Sequence, residues 1–441
     1  MNDSAEGVYK RFGKYLLLDH VVDGGMAELY MARELAENVE KIVADKVVAI
    51  KVIKKQFSED PNFKKMFLDE IKIAFGLVHP NIAQTYNYGE LSGKIFTVLE
   101  YVHGQNLQQI NKSLKKKSLS FPIEMAVYIA AQICQGLDYA HKFTDKLSGK
   151  KLNLVHRDIS PHNVMLDYDG MVKVIDFGIA KAETNTEATQ AGTIKGKVSY
   201  IAPEYLVEGG KIDHRYDQFA VGLVLWETLA GRKVFSGEND MAILKKVFEC
   251  KVPAPSSFNP NVPKELEAIL AKALSRDPNN RFPDMDQFGR HLTKFLHVKY
   301  PDFTTNDLGQ FLQNNFSSEV VEAREKLKVF GKIPLRPFCE DLKAEIEGRP
   351  SSADAPSLPN TNLLGQDATT SRKLSSGSNT DSAIGSSTQR RIFGQSSVTD
   401  TSDKTISPFI QQMRTKKLEQ TKSNIQIQDV RKELEKKERG K

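Results

Sequence analysis

Cysteine, tryptophan and long apolar runs are scarce in this chain, and each shortage closes off a class of protein. Its 441 residues hold one tryptophan and three cysteines, Cys134, Cys250 and Cys339. An odd number of scattered thiols without metal-ligand spacing argues against a disulfide framework or a zinc site, so reduced and mostly buried thiols are expected. No run of 18 apolar residues occurs, and no membrane-crossing helix is expected. The opening MNDSAEGVYKRFGKYLLL lacks the apolar core of a signal peptide. A soluble, cytoplasmic protein is the expectation from these absences. A basic excess is also missing where a nucleic-acid platform would need it, on a folded face. The first 348 residues carry 46 charges of each sign, and the net +6 comes from residues 349–441, with 16 basic and 10 acidic side chains. No nucleic-acid partner is therefore expected.

What is present divides by composition. Residues 12–297 alternate apolar and polar runs in ordinary globular proportions. YLLLDHVV, AELYMARE and KVVAIKVI read as strands. NFKKMFLDEIKIAFGL follows with helical spacing, with Phe63, Phe67, Ile71, Ala74 and Phe75 predicted on one face. IAQTYNYGEL and KIFTVLEYV return to strand character, and from FPIEMAVYIAAQICQGLDYAH onward helices dominate. A small β-rich lobe followed by a larger α-rich lobe is an α+β plan with a cleft between the two. Residues 298–348 look helical and globular, as an accessory extension packed on the second lobe. Between 351 and 408, 22 of 58 residues are Ser or Thr. That composition buries too little apolar surface to offset ordering entropy, and a disordered linker is predicted over 349–407. Residues 408–441 regain helical spacing at Ile427, Val430 and Leu434 among many charges, as a marginal helix that is either solvated or partner-binding.

Chemistry-bearing residues recur through the first segment in a fixed order. VVDGGMAELYMAR lies between two predicted strands, and its small residues let backbone N–H groups approach phosphates closely. Taken alone it reads equally as a hairpin turn. VVAIK ends an apolar strand on Lys51, and Glu70 follows 19 residues later at the centre of FLDEIKIAF. HPNI (79–82) and VLEYVHGQNL (98–107) come next, then HRDISPHN with Asp158 and Asn163. DFG places Asp176 18 residues beyond Asp158, and APE ends on Glu204, 28 residues beyond Asp176. DQFAVG supplies Asp217, and DPNNR supplies Arg281. Any one of these is ordinary as a turn or a surface charge. In this order and at these spacings they form a highly specific set.

Over residues 12–297 the set resembles the protein kinases, most closely bacterial serine/threonine kinases that read HRD-[VI]-SP-x-N and carry KGK before APE. The insertion DKLSGKKLN (145–153) is similar to that group as well. The resemblance implies a bilobal protein kinase fold, with a β-rich N-lobe and an α-helical C-lobe, that transfers the γ-phosphoryl group of MgATP to protein Ser or Thr. ATP and Mg²⁺ are the implied cofactors, and proteins the implied substrates. Val22, Asp23, Gly24, Gly25, Met26, Ala27, Glu28, Leu29 and Tyr30 would cover the phosphates, although only the middle glycine of the family's G-x-G-x-x-G pattern, Gly24, is kept. Lys51 would grip the α- and β-phosphates, held by Glu70. Ala49 and Leu99 would line the pocket, backbone groups of Glu100 and Val102 would pair with adenine, and Asn106 would lie near the ribose. Asp158 would accept or orient the substrate hydroxyl, and Asn163 and Asp176 would bind Mg²⁺. Asp217 would anchor the catalytic-loop backbone, and Arg281 would pair with Glu204.

Two positions depart from the family pattern. Ser160 stands where most serine/threonine kinases carry a lysine that neutralises the γ-phosphate. Tyrosine kinases lack that lysine but place an arginine two residues later, which here is His162. Counting back from Glu204 through GKVSYIAPE puts Gly196 at the activation-segment glycine and Lys197 where a threonine is usual. Lys197 would then either bring the missing ammonium to Asp158 or face solvent or an acidic substrate. Arg157, before Asp158, is placed to order a phosphorylated activation loop. Thr184, Thr186, Thr189 and Thr193 are available there, with Thr193 and Thr189 the candidate phosphosites. The Ser/Thr-rich tail is a further candidate for phosphorylation and for a partner that recognises it. No sequence feature specifies an oligomeric state.

Two other readings compete. A pseudokinase scaffold would have no use for Lys51, Glu70, Asp158, Asn163 and Asp176 together. A small-molecule phosphotransferase of the same fold would not need the complete segment through APE with Asp217 and Arg281.

Overall fold

The computed structural model describes residues 9–35, 46–146, 148–177, 198–207 and 210–348. Lys197, the four loop threonines, the Ser/Thr-rich linker and the terminal helix predicted over 408–441 lie outside the described residues.

The first lobe is built on a six-stranded antiparallel sheet in the order β1-β2-β3-β4-β6-β5. Its strands are β1 (Lys10–Phe12), β2 (Tyr15–Asp23), β3 (Ala27–Glu34), β4 (Val47–Ile53), β5 (Thr85–Leu91) and β6 (Lys94–Glu100). The period of two decides what β4 does with its mixed sequence VVAIKVI. Val48, Ile50 and Val52 join Tyr15, Ala32 and Val98 in one buried cluster. Ala49 and Lys51 fall on the opposite face. Ile53, on that same face, packs with Ile71 and Ile95 against the helix side of the sheet. After a short helix α1 (Lys55–Ser58), α2 (Pro61–Gly76) starts on an Asp60 cap, whose carboxylate accepts from the N–H groups of Asn62 and Phe63 at 2.9 and 3.3 Å. Pro61 at the first helical position has no N–H to leave unsatisfied. Ile71 is the buried anchor of the predicted apolar face, and Phe63 and Phe67 pack beside it. Phe75 departs from that face: it is 47% exposed and meets Tyr88 edge to face.

The second lobe follows through β7 (Gly104–Asn106), α3 (Leu107–Lys116) and α4 (Ile123–His141). A three-stranded sheet, β7 with β8 (Val164–Asp167) and β9 (Val172–Val174), underlies the HRD loop. Helix α5 (Arg215–Ala230) is apolar nearly all round, which suits a helix enclosed on every side. Around it pack α6 (Asp240–Glu249), α7 (Lys264–Ala273) and α8 (Met285–Lys299), in one continuous core with α3 and α4. Cys134 and Cys339 are buried and Cys250 is half-buried, and no disulfide joins them, as the sequence suggested.

Three more helices complete the described chain: α9 (Thr305–Asn315), α10 (Ser317–Gly331) and α11 (Arg336–Ile346). Leu308, Leu312, Phe316 and Val320 enter the same core as the second lobe, so α9 is continuous with that lobe rather than laid upon it. The extension also reaches the first lobe. Arg33 of β3 donates to the carbonyls of Phe330 and Ile333, and Lys326 pairs with Asp19 of β2 at 2.5 Å. The sequence reading placed this extension on the second lobe alone; its contacts cover both. No helix among the described residues is long and apolar enough to cross a membrane.

Candidate active site

The register of the first sheet sets the roof of the cleft. Ala49 lies opposite Leu99 and Met31, and Lys51 opposite Thr97 and Leu29. Directly opposed residues share a face, so Leu29, Ala49, Lys51 and Leu99 line one surface together. Glu28 and Tyr30 pair with Val52 and Ile50, residues of the buried cluster on the other face. Their side chains therefore point away from Lys51, with the Tyr30 hydroxyl bonded to Glu28 at 2.9 Å. Of the predicted phosphate cover, these two positions supply backbone only. Val22 lies opposite Leu29, and Asp23 is ion-paired with Lys54 at 2.6 Å. The tight turn rests on Gly24, whose N–H donates to Ala27 O at 2.9 Å and where a Cβ would stand 3.0 Å from that oxygen. Gly25 and Met26 complete the turn; a side chain at Gly25 would meet nothing within 4 Å.

Lys51 reaches across the cleft. Its ammonium forms an ion pair with Asp176 at 2.7 Å, joining the roof to the DFG segment of the floor. Burial pulls the Lys51 pKa down, but Asp176 more than offsets it, with Glu70 and Asp158 adding to the pull, so it is held above its usual value. Glu70, the partner expected from sequence, thus acts on Lys51 through space, while the hydrogen-bonded carboxylate is Asp176.

On the floor, Asn163 donates its amide N–H₂ to both the carbonyl and the carboxylate of Asp158, at 2.7 and 3.0 Å. Asp158 N–H points back to His156 Nδ1 at 3.3 Å, and His156 Nε2 meets Ile175 O at 3.2 Å. Since Nδ1 accepts, Nε2 carries the proton and donates. Burial keeps the His156 pKa below its usual value, so this tautomer stays neutral. Its ring lies 4.5 Å from that of Phe177. Arg157 and Asp176 both have left-handed backbone, φ 61° and 54°. Non-glycine residues there cost on the order of 1–3 kcal/mol each and persist only where the surroundings impose them.

Asp217 imposes the first. Fully buried, its carboxylate accepts from the backbone N–H groups of His156 and Arg157 at 2.7 and 2.8 Å and from His141 Nε2 at 2.8 Å. Burial alone would raise its pKa; the hydrogen bond from His141 first, then that from the His156 backbone N–H, hold it below the usual carboxylate value. The predicted anchoring role of Asp217 is met, and His141 is a partner that its place at the end of α4 gave no reason to single out. The predicted Arg281–Glu204 pair is bidentate, at 2.8 and 2.7 Å, and both side chains are buried.

Other positions are engaged differently from expectation. Asn106 caps α3, its side chain accepting from Gln109 N–H at 2.9 Å while Gln109 Oε1 accepts from Asn106 N–H at 3.0 Å. Glu100 is pinned by Lys173 at 2.8 Å and by Gln84 N–H at 3.0 Å. No motif marked that lysine. The Val102 carbonyl accepts from Gly104 N–H at 2.9 Å. Ser160 is 1% exposed and its hydroxyl has no hydrogen-bond partner among the described residues. It makes none of the contacts that hold Asp158.

A β-sheet roof with an inward lysine, over a loop presenting Asp158, Asn163 and Asp176, defines the protein kinase class. The chain belongs to the protein kinase domain family, whose profile matches residues 24–292. Among curated relatives it is similar to "Tyrosine-protein kinase MasK" of Myxococcus xanthus (strain DK1622), 37% identical over 323 residues that make up 73% of this chain and 49% of that one. It is also similar to "Serine/threonine-protein kinase PrkC" of Bacillus subtilis (strain 168), 36% identical over 273 residues, or 61% of this chain and 38% of that one. The chain thus spans half or less of the length of these two relatives. The solved kinase domain of Mycobacterium tuberculosis PknI matches with a TM-score of 0.48 at 26% identity, over 66% of this chain and 99% of that one.

Proposed function

We propose that this protein transfers the γ-phosphoryl group of ATP to hydroxyl groups of proteins, serine and threonine first among them. The observation that carries the reading is two pairs, Lys51 with Asp176 at 2.7 Å and Asn163 with Asp158 at 2.7 and 3.0 Å, with the Asp158 charge felt at Lys51. Phosphoryl transfer asks little covalent work of a protein and much positioning and charge. Lys51 holds the nucleotide phosphates, and Asp158, fixed in direction by Asn163, orients the acceptor hydroxyl and receives its proton. Glu100 and Val102 offer backbone to the adenine, with Ala49 and Leu99 above it. Asp176 and the Asn163 amide oxygen suit Mg²⁺, a cation that takes one or two protein oxygens and fills its shell with phosphates and water. When bound, Mg²⁺ neutralises charge on the phosphates.

Lys197 supplies the ammonium that Ser160 lacks, which is consistent with a buried serine hydroxyl that has no hydrogen-bond partner among the described residues. Loss of a charge contact made in the transition state costs about 2–4 kcal/mol. Lys197→Ala is therefore expected to lower kcat by roughly two to three orders of magnitude, and an unchanged kcat would refute this role. Thr193 and Thr189 are the expected self-modified positions, with Arg157 ordering the phosphorylated loop.

A tyrosine-directed activity is a second reading, favoured by the name of the Myxococcus relative and by the absence of a lysine at Ser160. Phosphoamino-acid analysis of protein incubated with MgATP separates the two. Phosphoserine and phosphothreonine support the first, and phosphotyrosine alone supports the second.

A further inference from the structure

The extension touches the two lobes by different means. On the second lobe it is anchored through packing and backbone. Gly170, φ +92° in the turn between β8 and β9, lies so near α9 that a Cβ would stand 2.5 Å from Thr305 O and 3.0 Å from Gly309 N. Gln313 donates to Tyr168 O at 2.9 Å, the Tyr128 hydroxyl meets Thr305 Oγ1 at 3.0 Å, and Phe121 packs on Phe311. Only Phe316 separates α9 from α10, and it is fully buried in the second-lobe core. The end of α10 is therefore a fixed point relative to the catalytic floor.

On the first lobe the contacts are polar but for one aromatic pair, and the polar ones fall on the strands that cover the cleft. The Arg33 side chain is buried, 4% exposed for the whole residue. Its Nη1 donates to Phe330 O at 2.8 Å and to Ile333 O at 3.4 Å, at the C-terminal end of α10. That end is the negative pole of the helix, which favours a cation, and Phe330 O accepts from Ile333 N–H at 3.3 Å as well as from Arg33. Lys326 pairs with Asp19 of β2, and Arg11 of β1 pairs with Glu345 of α11. Tyr9 packs edge to face on Phe330. Arg33 stands on the same strand as Ala27 and Leu29, and opposite Val47 at the start of the strand that carries Ala49 and Lys51.

We propose that Arg33 is a positioning residue for nucleotide binding: by capping α10 from β3 it makes residues 305–346 an intramolecular strap that sets the height of the β-sheet roof over the catalytic floor. A roof free to tilt is competent for nucleotide only part of the time, and apparent affinity falls by that fraction. A lysine at position 33 would keep the charge, but its side chain is one bond shorter, so its ammonium falls short of the carbonyls that Nη1 reaches.

The inference rests on the cleft being a nucleotide site, and its test reads binding rather than turnover. MgATP affinity is measured by intrinsic-fluorescence titration of the full chain, as wild type, Arg33→Gln and Arg33→Lys, with hydrogen exchange of β2 and β3 in parallel. Arg33→Gln is expected to raise the MgATP Kd about three- to tenfold and to speed exchange in β2 and β3, with Arg33→Lys between it and wild type. A wild-type Kd in folded Arg33→Gln, whatever its melting temperature, would overturn the proposal. Should Arg33→Gln not fold, Lys326→Ala decides: a raised Kd supports the strap, and wild-type affinity overturns it. Wild-type protein that binds MgATP and transfers no phosphoryl group would sink the kinase reading and leave the strap standing. If wild type binds no MgATP, the exchange comparison alone decides, and unchanged exchange in Arg33→Gln overturns the strap.

Discussion

At the scale of single residues, the catalytic loop depends on groups that never approach a substrate. Asp217 is buried with three donors, and it holds Arg157 in a left-handed backbone one residue before Asp158. Arg281 and Glu204 form a second buried unit that ties the APE segment to the loop before α8. Breaking a buried pair from one side leaves an uncompensated charge, at a cost of about 3–5 kcal/mol. Arg281→Ala is therefore expected to lower stability by that amount, read as a fall in the denaturant midpoint with an unchanged slope. A loss below about 1 kcal/mol would mean that Glu204 finds another partner.

At the scale of elements, the β8–β9 turn comes so close to α9 that position 170 requires a glycine. Gly170→Ala combines an unfavourable positive φ with a Cβ placed against backbone. It is expected to destabilise the protein by more than about 1 kcal/mol. Faster hydrogen exchange concentrated in α9 and α10 would locate the damage, and wild-type exchange there would contradict the contact.

The element level also shows where sequence sufficed. β-Branched runs and helical periodicity placed strands β2 to β6 and the helices α2 and α4, because burial of one face decides their register, while the short β1 left no signal. The spacing of Lys51, Asp158, Asn163 and Asp176 was legible because kinase chemistry admits few alternatives. What stayed hidden depends on which neighbour wins a side chain. Asn106 is taken by the cap of α3, Lys51 by Asp176, and Glu28 and Tyr30 by the outer face of the sheet. The reach of α10 to the first lobe rests on Arg33 meeting two carbonyls about three hundred residues away in sequence, a pairing that leaves no periodic trace.

At the scale of the whole molecule, a roof, a floor and a strap are bound by a few polar ties across apolar cores. Lys51 with Asp176 crosses the cleft from within, and Arg33 with α10 crosses it from outside. Each of these roles requires the cleft to be a working phosphotransfer site. Intact mass after incubation with MgATP, for the full chain as wild type and as Asp158→Ala, tests this most directly. Wild-type protein should gain whole phosphoryl increments, while Asp158→Ala gains none or gains them at least a hundredfold more slowly. Equal gains in both proteins, or none in either, would contradict it.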